Sequence, residues 1–162
     1  MSTHEKQHHP FGPFIPRGAR YLILGTFPSV KSREQDFYYG HPQNKFWKLL
    51  ADVYCDECPS SLEEKKAFLE RHAIALYDVI ESCEIIGSSD ASIRNIIPTN
   101  IESLIRGHGI ETIILNGRLA ETIFKRFSPS LQGHYVPSSS PAYASMSYER
   151  KLMEWKKVIL RT

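Results

Sequence analysis

Short apolar runs alternate along the chain with segments in which apolar residues recur every three or four positions. The first run, "RYLILG" (20–25), is closed by a glycine and reads as a buried strand. Phe46, Leu49, Leu50, Val53 and Tyr54 then follow at the spacing of one helix face. Ser61 with Glu64 makes a capping box for a second helix that runs to about Arg71, because serine oxygen and glutamate each satisfy an orphan backbone N–H. "IALYDVI" (74–80) is the second strand, and the polar "GSSDASIRN" (87–95) is a loop. Thr99 with Glu102 opens a short helix that Gly107 and Gly109 end, and "IETIILNG" (110–117) is the third strand. Leu119, Ala120, Ile123, Phe124 and Phe127 mark another helix, stopped by Ser128-Pro129. "HYVPSSSP" (134–141) is a short fourth strand running into a loop, and Leu152, Trp155 and Ile159 mark a closing helix.

Strands that read as continuous apolar runs between helices imply a parallel sheet covered on both faces. The expected fold is α/β, a three-layer α/β/α sandwich around a central four-stranded parallel sheet. Residues 18–162 would form one domain, preceded by a flexible N-terminal segment, 1–17, which carries His4, His8 and His9. Binding sites of such sheets lie at the carboxyl ends of the strands. Four special segments fall there: "GTFPS" after strand one, "YDVIESCEIIGSSD" after strand two, "NG" after strand three and "PSSSP" after strand four.

Composition narrows the class. Hydrophobic residues make up 41% of the 162 and charged residues 23%, which argues against disordered and fibrous proteins. No apolar run approaches the roughly 18 to 20 residues that span a bilayer, and "MSTHEKQHHPFGPF" lacks the apolar core of a secretory signal, so a cytosolic protein is expected. A net charge of +2 and a pI near 8.4 are too mild for nucleic-acid binding driven mainly by charge, so any such contact would depend on a local patch and on shape. Cys55, Cys58 and Cys83 include one C-x-x-C pair, to which a histidine could add. However, Cys55 and Cys58 end an amphipathic segment and Cys83 lies beyond the next apolar run, so reduced, partly buried thiols are expected rather than a metal site.

The stretch "GTFPSVKSREQDFYYGHPQNKFWKLL" (25–50) carries more polar and special residues than packing requires. Together with "VPSSSPAYA" (136–144) it resembles the uracil-DNA glycosylase superfamily, nearest to its hypoxanthine (deoxyinosine) branch. The mismatch-specific uracil/thymine glycosylases are close relatives with a similar "HP-x-N-x-FW" pattern. The resemblance spans roughly residues 18 to 160. It implies an enzyme that extrudes a nucleotide, stacks its base on an aromatic face and reads the base edge by hydrogen bonds. Breaking the N-glycosidic bond builds negative charge on the base and positive charge on the sugar, so donors to the base and a group that holds water are needed.

Carried over residue by residue, the resemblance gives Tyr39 as the stacking aromatic, Gly25 to Ser29 as the first motif, with Thr26 and Phe27 facing the base and Ser29 the DNA. Phe27 departs from the pattern, since relatives carry a water-positioning Asn or Asp there, and a phenyl ring can neither orient water nor accept a proton. Asn44 of "HPQN" is the residue that the hypoxanthine branch offers as the catalytic group. It also sits where asparagine caps a helix, and the two roles are compatible. Pro137, Ser138, Ser139 and Ser140 would grip the DNA backbone, with Tyr143 or Met146 the nearest candidate for an intercalating side chain. Asn116 either faces the base or ends its strand as a turn residue. Asp78, Ser88, Ser89 and Asp90 lie near the exit of the second strand, where a carboxylate could serve as a general base, but Asp and Ser in such loops usually make turns and caps. Lys31, Arg33, Arg94, Arg118 and Arg150 offer a modest phosphate rim or a plain solvated surface.

Neither Gly25 to Ser29 nor Pro137 to Pro141 holds a lysine, so no imine-forming lyase is implied. The expectation is a monofunctional glycosylase that removes a deaminated base, hypoxanthine foremost, from DNA. It would act as a monomer with no metal or organic cofactor. Uracil or mismatched thymine is the alternative within the class, and a binding module that lost the reaction is the alternative outside it, motivated by Phe27.

Overall fold

A computed structural model describes residues 3–141, 143 and 145–161; Met1, Ser2, Ala142, Ala144 and Thr162 lie outside the described residues. Regular structure begins with a polar strand, β1 (Glu5–His8), before the first apolar run becomes β2 (Tyr21–Gly25). Three helices follow, α1 (Val30–Gln35), α2 (Phe46–Tyr54) and α3 (Leu62–Arg71), and then strands β3 (Ile74–Asp78) and β4 (Ile80–Ile85). A 3-10 turn at Asp90–Ser92 leads to β5 (Arg94–Pro98) and α4 (Ile101–His108). The chain ends with β6 (Thr112–Asn116), α5 (Arg118–Phe127), β7 (His134–Val136) and α6 (Tyr148–Ile159).

The apolar runs form the expected four-stranded parallel sheet, in the order β3-β2-β6-β7. Every residue of β3, and all but the first of β2 and β6, is buried, as a sheet covered on both faces requires. α3 packs on β3, α5 on β6, and α6 on both α2 and β7. Phe46, Phe68, Phe124 and Trp155 are the largest fully buried side chains, each worth about 1.5–3 kcal/mol relative to exposure. From β2 the chain steps outward to β3, crosses back to β6 and steps outward again to β7. The winding therefore reverses between the neighbouring strands β2 and β6, which opens a crevice at their carboxyl ends.

A second sheet, β1-β4-β5, departs from the sequence expectation. The run 74–80 is not one strand: β3 ends at Asp78, and after Val79 the chain enters β4, which pairs antiparallel with both β1 and β5. Part of the polar loop 87–95 is likewise the 3-10 turn and the start of β5. The described part of the N-terminal segment, expected to be flexible, is tied down through its backbone. Residues 5–8 pair with residues 82–85, and Phe14 exchanges two hydrogen bonds with Leu76 at the edge of β3. Pairing of that kind covers sheet edges that would otherwise present unmatched N–H and C=O groups.

Candidate active site

At the end of β2 the backbone passes so close to its neighbours that only glycine fits. A Cβ on Gly25 would stand 2.7 Å from Asp78 Oδ1 and 2.9 Å from the Tyr39 hydroxyl oxygen. Gly25 and Thr26 accept hydrogen bonds from the N–H groups of Val79 and Ile80, at 2.8 and 3.3 Å, so the chain after β3 stays beside the first motif. Ser29 caps α1, accepting from the Ser32 N–H at 3.2 Å, and Ser32 Oγ accepts from the Gly40 N–H at 2.9 Å. Ser32 thus holds the loop that carries the three aromatics, and Ser29 Oγ donates to Ser32 Oγ at 3.2 Å behind it.

Those aromatics divide their tasks. Phe37 is buried and stacks on Trp47, and the Tyr38 hydroxyl donates to the Gly12 carbonyl. Tyr39 takes a left-handed backbone, φ 54°, an uncommon conformation for a bulky residue that turns its ring back onto Phe46. The two rings stack at a centroid distance of 3.8 Å and 17° between planes. The Tyr39 hydroxyl is buried and finds no hydrogen-bond partner of ordinary geometry among the described residues. Burial, and secondarily the charge of Asp78, push its pKa well above the usual tyrosine range, so it stays protonated.

The N-cap of α2 is Lys45 and makes no side-chain capping bond, so Asn44 lies one residue ahead of the capping position expected for it, yet its side chain still reaches the first helical N–H. Its Oδ1 accepts from the Phe46 N–H at 3.0 Å, at the start of α2, which leaves its NH2 without a partner among the described residues. The next residue links this segment to the serine loop, as the Lys45 N–H donates to the Ser139 carbonyl at 3.1 Å. Asn116 and Ser139 are bound reciprocally. The amide Nδ2 donates to Ser139 Oγ, and the Ser139 N–H donates to Asn116 Oδ1, both at 3.0 Å and both buried. Beside them Gly117, at φ 101°, leaves room for Ser138, whose Cβ would lie 3.1 Å from any added Cβ.

Nine of the ten residues to which the resemblance assigns catalysis, base contact or DNA contact line one cleft of about 510 Å³: Thr26, Phe27 and Ser29 after β2, Tyr39 and Asn44 before α2, Asn116 at the end of β6, and Ser138 to Ser140 after β7. Pro137 does not line it; it is buried, and its carbonyl accepts from Trp155 Nε1–H at 2.8 Å, so it anchors the loop to α6. Asp78 also lines the cleft, with only 3% of its surface exposed. Its partner is His9, a residue that the sequence reading placed in the N-terminal segment; no periodicity marks a polar four-residue strand or the histidine behind it. Of the suggested phosphate rim, Lys31, Arg94 and Arg118 form ion pairs with Glu34, Glu84 and Glu121, and Arg33 donates to the Gly87 carbonyl. Cys55 and Cys58 are exposed rather than partly buried, while Cys83 is buried.

Comparison with known proteins matches the family model "Uracil DNA glycosylase superfamily" to residues 12–162. A hypoxanthine DNA glycosylase of Methanosarcina barkeri is 27% identical over 88% of this chain and 82% of its own length. One from Methanosarcina acetivorans is 30% identical over 91% of this chain and 95% of its own. The solution NMR structure of a candidate uracil DNA glycosylase from Methanosarcina acetivorans superposes with a TM-score of 0.79 at 28% identity, covering 93% of this chain and 95% of that one. With a cleft at the switch point of a parallel sheet and a family match over almost its whole length, the chain belongs to the uracil DNA glycosylase superfamily.

Proposed function

We propose that this protein is a monofunctional DNA glycosylase that takes a deaminated nucleotide, deoxyinosine foremost, out of the helix and hydrolyses its N-glycosidic bond, acting as a monomer in the cytoplasm. The observation that carries the reading is the convergence of the Asn44 amide, two aromatic rings and the serine loop on one cleft at the carboxyl ends of the sheet. A cleft of about 510 Å³ falls in the range of roughly 300–1,000 Å³ usual for small-molecule sites, and a flipped base is such a ligand.

In this reading Phe27 and Tyr39 form the aromatic wall. One face of Tyr39 is taken by Phe46, which fixes the ring before any base arrives. Because Asn44 Oδ1 is committed to the α2 N-terminus, the free half of the side chain is its NH2. That donor can stabilise the charge that develops on the departing base or hold the oxygen of the attacking water. As the bond between C1′ and the base nitrogen breaks, its electron pair leaves with the base. Water oxygen bonds C1′, the proton it loses passes through solvent to the departing base anion, and a neutral base and an abasic site remain. Ser138 offers a small hydroxyl to a flanking phosphate, with Ser140 beside it in the loop, while Ser139 is held inward by Asn116. No lysine lines the cleft among the described residues, which supports hydrolysis by water over imine formation. Base release from duplexes carrying inosine, uracil, xanthine or thymine opposite each normal base tests the reading; hypoxanthine should be released fastest, and no β-elimination product should accompany it.

Phe27, in the place where relatives carry Asn or Asp, favours a second reading, a protein that binds the flipped base without cleaving it. Selective binding with no base released from any duplex would establish that reading in place of the first.

A further inference from the structure

His9 comes from the end of a polar strand, yet its side chain has 0% exposure. Its N–H donates to the Glu81 carbonyl at 2.7 Å, continuing the β1–β4 ladder, and its ring sits among Phe11, Phe27, Tyr38 and Tyr77 at centroid distances of 4.4 to 6.0 Å. Nε2 lies 2.7 Å from Asp78 Oδ2, whereas Nδ1 is buried with no hydrogen-bond partner among the described residues. The proton therefore belongs on Nε2, donated to the carboxylate, because a second one on Nδ1 would find no acceptor. The other carboxylate oxygen, Asp78 Oδ1, lies over Gly25 beside the Tyr39 hydroxyl, at the wall of the cleft, with no donor of its own among the described residues. The contact resolves a steric and an electrostatic requirement together: His9 pins one oxygen, Gly25 leaves room for the other, and the acceptor that results belongs to a residue that lines the cleft.

We propose that His9 is a positioning residue, holding Asp78 so that Oδ1 accepts the ring N–H of a lactam base. Hypoxanthine and uracil present such an N–H beside a carbonyl, whereas adenine and cytosine present a lone pair there, which a carboxylate repels. The site would thus recognise the product of deamination by the proton that deamination adds. Guanine shares the N–H and is not separated by this contact. The inference rests on the glycosylase reading for its ligand, but it concerns recognition and not bond cleavage.

The experiment compares Asp78→Asn, His9→Phe and the double variant with the intact protein, using two readouts. One is single-turnover release of hypoxanthine. The other is the affinity for a duplex carrying 2′-fluoro-deoxyinosine, which resists cleavage, relative to an undamaged duplex. In Asp78→Asn the His9 donor holds the amide carbonyl and turns the NH2 toward the base, donor against donor, so both readouts should fall by about 100-fold or more. Adding His9→Phe frees that amide to turn its carbonyl to the cleft, and the double variant should regain at least about 10-fold over Asp78→Asn. A merely structural His9 would instead make the double variant worse. Thermal unfolding shows which variants fold. Should His9→Phe not fold, His9→Gln, which can still donate to Asp78, should keep selectivity within about 3-fold, and His9→Ala should not. Selective binding by the intact protein without base release would sink the glycosylase reading while leaving this proposal to the variants. No preference for the deoxyinosine duplex, unchanged selectivity in Asp78→Asn, or a double variant no better than Asp78→Asn would overturn it.

Discussion

At the scale of single residues, the proposed function divides the Asn44 side chain between structure and chemistry. Its carbonyl oxygen starts α2 and its NH2 is left to the cleft. Substitutions can separate the halves. Asn44→Ala removes both, so it should cost about 1 kcal/mol of stability as a lost hydrogen bond to the first N–H of α2 and lower base release about 100- to 1,000-fold as a lost donor. Asn44→Asp keeps an oxygen for the Phe46 N–H, and a negative charge at a helix N-terminus is favourable, so stability should stay within about 0.5 kcal/mol of the parent. Base release should nevertheless fall as far as in the alanine variant, because the donor is gone. Chemical denaturation and single-turnover kinetics on the same preparations check both statements. An active Asn44→Asp would move the role from the donor to a water-holding carboxylate oxygen.

At the scale of elements, the cleft is fixed by contacts between segments that are distant in sequence. Asn116 at the end of β6 holds Ser139, and Ser139 holds Lys45 ahead of α2. Asn116→Ala would leave the Ser139 hydroxyl and N–H unpaired in a buried place, a loss of about 2–3 kcal/mol measurable by denaturant unfolding. A joint of a different kind closes the α2–α3 connection, where Asp56 accepts from Arg71 and His72, with Oδ2 2.8 Å from His72 Nε2. These hydrogen bonds, His72 foremost and then Arg71, hold the Asp56 carboxyl well below the usual carboxylate range. A group with a depressed folded pKa adds stability above its unfolded pKa, near 4, and loses it as pH falls toward the folded value. The melting temperature of Asp56→Asn should therefore lie below that of the parent at pH 7, and the gap should close as the pH is lowered below about 4. A gap independent of pH would assign the effect to packing. The elements themselves were unequally legible. β2, β3 and β6 are buried on both faces and so read as apolar runs, whereas β1, "EKQH", has mostly exposed side chains and is held by its backbone alone. Nothing in its residue types distinguishes it from loop. The break between β3 and β4 was hidden because Val79 and Ile80 are as buried as the strand before them.

At the scale of the whole molecule, most of the cleft could be anticipated because parallel strands bring their carboxyl ends together, so special residues after β2, β6 and β7 had to meet. His9 could not, since its place depends on a second sheet that no apolar pattern announces, and its contact with Asp78 joins residues 69 positions apart. The same long-range pairing bears on charge. The protein carries a net +2, and of five cations that could have formed a phosphate rim, Lys31, Arg94 and Arg118 are matched by carboxylates and Arg33 by a backbone carbonyl. With four of the five so engaged, that rim can displace few counterions from DNA, so affinity should come mainly from the extruded base and from hydrogen bonds to phosphate. The plot of log K against log salt for an undamaged duplex should then have a slope of about −2 to −4, corresponding to roughly two to four neutralised phosphates. A deoxyinosine duplex should bind more tightly with nearly the same slope, because the added contacts are to a neutral base. A slope steeper than about −6, measured by titration between 50 and 200 mM salt, would instead show a broad basic footprint and move the source of affinity from the cleft to the surface around it.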